Sequence, residues 1–351
     1  MAASDRVVPK GAAWDETLAR FSASGQNDIY FDHRYVALYA TGGAEVRGFV
    51  HEEDGEIFFL PHLKRAIPTK SGPLFDMETP YGYTGPLSTT VDRCFLKKAW
   101  AAFRDYCREE RIVAAFLRFH PLLENHHYAE GGPVRVIAER KTVFLDLDQD
   151  EDAIWREYAS DNRNRIRKAM KSGVTVTQRD DTAALKIFSD LYHAHMDELG
   201  ADADYFFGED YFNAIARLGR GRFRIYLAER KGAVIGGAVV LLSDRFAHYH
   251  LSSSLHDYFS YAPNNMLRHA VISGLLRQRW SRLHFGGGRG PDPKDSLFKF
   301  KRMFSKQEAQ FYIGSFIADE AVYESLRSDW VRAHPEKVAA YGKRVLCYRY
   351  R

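Results

Sequence analysis

Residues 280–305 read W-S-R-L-H-F-G-G-G-R-G-P-D-P-K-D-S-L-F-K-F-K-R-M-F-S, and no other stretch constrains the chain as tightly. The apolar run at 283–285 predicts a strand that ends in three glycines. A polar turn and a basic, aromatic helix start follow. Gly286, Gly287 and Gly288 carry no Cβ, so their backbone can come close to a ligand. The step F-K-x-x-F then sets Lys301 between Phe300 and Phe304, where an ammonium can meet developing negative charge with little water present.

The rest of the chain alternates strand and helix patterns, which makes it mixed α and β. Residues 1–30 read as a loose arm followed by a short helix, and 32–39 as a helix closed by Gly42 and Gly43. Residues 44–50 and 56–60 alternate around E-E-D-G, a hairpin signal. Apolar residues at 95, 96, 99, 100, 103 and 106 have helical spacing, and 111–119 suits a buried strand stopped by Pro121. A second unit opens with strand 141–148. It continues through a basic helix at 162–171, strand 174–178, helix 182–199, strands 223–229, 234–242 and 246–251, helix 264–279 and the glycine strand. Asn264 reads as the cap of that last helix.

Three separated blocks, in order, resemble the FemABX-like branch of the GNAT acyltransferase superfamily. They are E-T-P-Y-G-Y-T-G-P at 78–86, N-R-N-R-I-R-K-A-M-K-S-G-V at 162–174, and the glycine strand with its F-K-x-x-F helix. The first block is similar to segments of FemAB-related acyltransferases of polysaccharide clusters. The resemblance implies an α+β fold of two GNAT-like domains, with mixed, mostly antiparallel sheets flanked by helices. Residues 1–140 would form the acceptor-side domain, 141–315 the domain carrying the motif, and 316–351 a helix and tail returning to the first domain. It further implies that Lys301 sits at the acyl-transfer point and stabilises a tetrahedral oxyanion, an effect of about 3–4 kcal/mol for one placed donor. Catalysis would take place in the cleft between the halves.

The other candidate residues have weaker signals. Arg163 and Arg167 share a helix face and would meet a diphosphate or RNA backbone, or else pair with Glu157 and Asp161 on a solvated surface. Tyr81 and Tyr83, in a loop bounded by Pro80 and Pro86, suit stacking on a sugar or base, or packing beside a turn. Tyr249 lies where relatives line the acceptor cleft, and alternation puts His248 and His250 on the opposite face. Asp295 and Tyr249 are the candidates for a general base. Arg289 and Lys294 would lie near phosphate.

Several classes are set aside. The three cysteines have no C-x-x-C spacing, His193 and His195 do not share a helix face, and His126-His127 has no cysteine near it, so no metal is expected. There is no G-x-S-x-G elbow and no P-loop. No apolar run could span a bilayer and no secretory leader is recognised, so a cytoplasmic location is expected, with any membrane contact peripheral and at the inner face. The formal charge of +4 is too small to imply DNA binding. Residues 254–265 contain no glycine, unlike the R/Q-x-x-G-x-G/A loop that holds pyrophosphate in CoA-using GNAT enzymes.

The reading is an N-acyltransferase that forms an amide on an amine of a cell-envelope, glycan or peptide precursor. Aminoacyl-tRNA is favoured as donor over acetyl- or acyl-CoA, and neither is a tightly bound cofactor. The alternatives are a CoA-dependent N-acetyltransferase of an amino sugar or similar amine, and a non-catalytic relative that binds RNA or a nucleotide sugar.

Overall fold

The computed structural model describes residues 3–69, 72–199, 207–276, 278 and 280–350. Its strands are β1 (Ser4–Pro9), β2 (Glu45–Glu53), β3 (Glu56–Ile67), β4 (Leu74–Glu78), β5 (Leu87–Ser88), β6 (Ile112–Arg118), β7 (Arg135–Asp146), β8 (Thr175–Arg179), β9 (Phe223–Arg230), β10 (Ala233–Leu242), β11 (Phe246–Ser254), β12 (Arg282–Gly287) and β13 (Glu308–Ile317). The helices are α1 (Ala12–Ala19), α2 (His33–Ala37), α3 (Arg93–Glu109), α4 (Glu151–Glu157), α5 (Ser160–Lys171), α6 (Thr182–Leu199), α7 (Glu209–Ala216), α8 (Pro263–Leu276), α9 (Ser296–Arg302), α10 (Glu320–Ala333) and α11 (Val338–Tyr341). Two compact units result, one of residues 1–139 with 311–351 and one of residues 140–310.

In the first unit the strands run β1-β2-β3-β4-β6-β13, antiparallel except for β4 and β6. Period-two alternation divides its core. Phe49 and Phe58 join Trp100 and Phe103 of α3 on one face, while Val50, Ile57 and Phe59 join Trp14, Phe21 and Phe31 on the other. The predicted hairpin closes through Asp54 and Gly55, both at positive φ, between the paired residues Glu53 and Glu56. The expected loose arm is instead ordered from Ser4, as an edge strand on β2 followed by α1. Trp14, fully buried, fastens it by donating Nε1 to the Phe31 carbonyl at 2.9 Å.

The second unit orders its strands β7-β12-β11-β10-β9-β8, with only β11 and β12 parallel. Leu145, Ala238, Val240, Ala247 and Leu283 pack with Ile154, Ile166, Leu267, Val271 and Leu275 of α4, α5 and α8. Phe188 of α6 and Phe212 of α7 lie edge to face at 6.0 Å away from that cluster. Asn264 does not cap α8, which opens at Pro263; its side-chain oxygen instead accepts from Ser254 Oγ at 3.0 Å. The end expected for this helix, at 279, lies outside the described residues.

Candidate active site

Two central strands of the second unit separate. β11 and β12 pair only over Phe246–His248 and Arg282–His284, although β11 continues to Ser254 and β12 to Gly287. A register shift at His250 on the β10 side of β11, and another at Phe285 on the β7 side of β12, mark where they diverge. Gly286 takes φ 76° at that second irregularity, a left-handed conformation that a side chain would strain. The glycine strand therefore ends beside an opening in the sheet.

Helix α9 stands against this end of β12. Asp295 caps it by accepting from the Phe298 N–H at 2.8 Å. Asp295 also crowds Gly288 so closely that a Cβ there would lie 2.5 Å from its Oδ1. Phe298 and Phe304 are buried and fix the helix in the core, Phe304 edge-on to Tyr158 at 5.3 Å. This anchoring turns Lys301 inward. It is only 9% exposed, and its Nζ donates to the Gly287 carbonyl at 2.6 Å. Burial first, and then the neighbouring Arg268, lower its pKa from 10.5 to about 7. A solvated surface lysine would show neither feature.

The aromatic sandwich expected around Lys301 belongs to another cation. Arg268 of α8 lies 4.6 Å from the Phe300 ring centroid and 4.5 Å from that of Tyr249. Tyr249 is buried, and burial raises its pKa despite Arg268. It remains a protonated phenol. Asp295, held as a cap, has its carboxyl pKa lowered chiefly by the Phe298 N–H. Neither candidate general base is poised to take a proton.

A further pair braces the site. Asn162, fully buried at the start of α5, donates to the Met303 carbonyl at 3.1 Å and accepts from Asn265 at 2.9 Å. The Ala159 N–H reaches the same carbonyl at 3.0 Å. Two helices thus hold the C-terminal end of α9. Sequence reading missed this pair, and it missed Arg268, although positions 268, 271, 272 and 275 form one i, i+3, i+4, i+7 stripe on which only the first is charged.

The remaining candidates are dispersed. Arg163 donates to the carbonyls of Arg156 and Tyr158, so it ties α4 to α5. Arg167 lies over the Trp155 ring at 5.4 Å and bonds Asn164 at 3.2 Å. Both have partners on or just after the preceding helix α4. As alternation predicts, Tyr249 faces α8 while His250 lies 2.5 Å from Tyr211 Oη of α7. In the first unit Tyr81 is 53% exposed, and Tyr83 meets Tyr30 and Phe311 edge to face at 5.6 and 5.2 Å. The turn between them needs glycine, because a Cβ on Gly82 (φ 104°) would lie 2.6 Å from the Tyr30 ring. Also in this unit, Glu130 joins His126 and His127, and the three bring ligand atoms within 4.8 Å of one another. They could hold a metal ion together; His127 Nδ1 already lies 3.0 Å from the Glu130 carboxylate.

Comparison with known proteins agrees with this architecture. A family model described as a GNAT acetyltransferase domain matches residues 156–302, ending just past Lys301. The UDP-N-acetylmuramoylpentapeptide-lysine N(6)-alanyltransferase of Weissella viridescens is 26% identical over 229 residues, which is 62% of this chain and 67% of that protein. The crystal structure of FemX superposes with a TM-score of 0.69 at 15% identity, covering 93% of this chain and 99% of FemX. A tandem GNAT protein from the clavulanic acid biosynthesis pathway gives a TM-score of 0.53 at 13% identity, covering 90% of this chain and 99% of that one. Residues 156–302 thus match a GNAT acetyltransferase domain, and the chain as a whole is similar in sequence to a Fem-type alanyltransferase and in fold to FemX.

Proposed function

We propose that this chain transfers an acyl group from an activated ester to an amine of a cell-envelope precursor, with aminoacyl-tRNA as the donor. The observation that carries this reading is the buried Lys301 ammonium at the end of the glycine strand. In the reaction the amine lone pair attacks the acyl carbon and a C–N bond forms. The carbonyl electron pair moves to oxygen, where Lys301 donates a hydrogen bond. Collapse of the adduct breaks the C–O ester bond and expels the ribose alkoxide, which leaves protonated, while the amine loses a proton. Lys301 would supply about 3–4 kcal/mol of preferential stabilisation for the adduct. No side chain is assigned as base, since Asp295 is a cap and Tyr249 a neutral phenol.

Support for the donor comes from the alanyltransferase relative and from residues 254–265. That glycine-free segment folds as a 3-10 turn over His256–Tyr261. Support for the acceptor comes from the same relative, whose name specifies a lysine of a UDP-linked muramoyl pentapeptide. Charged tRNA is found in the cytoplasm, so the reaction would occur there. Among the described residues no helix is long and apolar enough to cross a membrane.

The test is to incubate the protein with labelled alanyl-tRNA or labelled acetyl-CoA, each with UDP-N-acetylmuramoyl pentapeptide as acceptor. Label should move from alanyl-tRNA to the peptide, and Lys301→Met should lower kcat about 10²–10³-fold. Transfer from acetyl-CoA alone would overturn the donor. Equal turnover by mutant and parent would overturn the mechanism.

A further inference from the structure

Arg268 is a cation with no assigned task. It is 3% exposed, and its Nε has no hydrogen-bond partner. Buried guanidinium groups in folded proteins are nearly always paired with acids or carbonyls, because an unpaired buried charge is strongly unfavourable. Here the faces of Tyr249 and Phe300 hold the flat group at 4.5 and 4.6 Å and leave its N–H edge uncommitted. Lys301, the neighbour of Phe300, is a second buried cation whose hydrogen-bond partner is the neutral Gly287 carbonyl. Among the described residues the other charges facing the pair offset it only in part, through Asp295. Arg140 of β7 adds positive charge while donating to the Gly288 and Arg289 carbonyls at 3.0 and 2.9 Å. Asp295 of α9 caps its own helix. The site therefore has an excess of positive charge in a poorly hydrated place, and an oxyanion is what it lacks.

We propose that Arg268 binds a phosphate group of the acyl donor, so that Arg268 is an anion receptor beside Lys301, whose positive charge adds to the attraction. The identity of the ligand rests on the acyl-transfer reading; the receptor itself does not. An aminoacyl ester or acyl thioester carries no negative charge at its acyl end. In both donor classes the negative charge lies on phosphate. The guanidinium edge presents N–H groups in a fork that matches two oxygens of one phosphate. Binding there would hold the donor a short distance from Lys301, leaving the ammonium directed at the carbonyl.

The experiment is calorimetric titration of the full chain with adenosine 5′-monophosphate and, separately, inorganic phosphate, at fixed ionic strength, with acetate as the carboxylate control. Both phosphates should bind and acetate should not. Arg268→Lys should retain part of the affinity, and Arg268→Met should lose about 10–100-fold, the range for one charge-assisted hydrogen bond. Melting of the ligand-free variants provides a second readout. Arg268→Met should melt at or above the parent's temperature, because an apolar side chain replaces an uncompensated buried charge. An arginine serving only to clamp Tyr249 and Phe300 predicts the reverse, a lower melting temperature with phosphate affinity unchanged, and that result overturns the proposal. Binding of acetate in place of phosphate also overturns it. Phosphate binding that depends on Arg268 in a protein without transferase activity would sustain the receptor and remove only the acyl-transfer reading. Unchanged donor KM in an active Arg268→Met enzyme would remove only the receptor.

Discussion

In the first unit the fully buried Asp76 accepts from Arg65 at 3.1 Å and from Arg349 at 2.7 and 2.9 Å, and nearby Glu78 pairs with Arg65 and Arg118. In the second unit Arg268 and Lys301 are also buried, yet among the described residues no acid pairs with either of them. Burial pushes the Glu78 carboxyl pKa up, but Arg118 and Arg65 bring it below its ordinary value. For Lys301 the opposing pull of Asp295 is outweighed, and burial with Arg268 brings it down to about 7. The first cluster pairs each of its charges and holds residues near the C-terminal end on β4. The second is complete only when something negative arrives. Buried charge serves architecture where it is paired and chemistry where it is not.

Breaking the paired cluster should have the largest effect. Asp76→Ala takes the carboxylate from Arg349, leaves Arg65 with Glu78 alone, and should lower stability by about 3–5 kcal/mol, read by urea unfolding. A loss below 1 kcal/mol would mean that water replaces the carboxylate and that the two clusters are alike.

The unbalanced site should respond in the opposite direction. With a folded pKa near 7 against 10.5 unfolded, the unfolded chain binds more protons between those values. The burden of Lys301 on stability is therefore full below pH 7 and fades as pH rises toward 10.5. Lys301→Met should be more stable than the parent, and its advantage should shrink by about 3 kcal/mol between pH 6 and pH 9. A variant that is less stable at both values would show that the lysine is structural.

A smaller effect sharpens the contrast between framework and reacting group. Asn162→Ala removes the amide that joins Asn265 to the Met303 carbonyl and should cost about 1–3 kcal/mol. Its kcat should fall because α9 loosens, while the Lys301-dependent limb of the pH profile stays in place. A displaced limb would place Asn162 in the electrostatics of the site instead.

Much of this was legible in the chain because the relevant signals are local. The Asp54-Gly55 turn, the helical stripe of α3 and the F-K-x-x-F step each lie within a few residues. The missed parts depend on distant partners. Strand β1 is exposed at five of its six positions and exists only as a pairing with β2, so no alternation announces it. Asn162 and Asn265 are separated by 103 residues, and each alone reads as an ordinary helix-start asparagine. Arg268 carried a local signal, a charge on an apolar stripe. Its meaning depends on Phe300, which arrives from another helix. The motif also misassigned the aromatic ring: Phe300 supports Arg268, and Lys301 turns to a backbone carbonyl.

The charge state of Lys301 is the property on which the chemistry of the site turns. Its ammonium can be titrated directly by NMR in protein labelled with ¹³Cε-lysine, with the Lys301→Met spectrum identifying the resonance. A midpoint near 7 is expected, against 10.5 for an unperturbed lysine, and added phosphate should move it upward. A resonance that titrates with the surface lysines near 10.5, and does not respond to phosphate, would contradict the claim that this cation is buried and awaiting an anion.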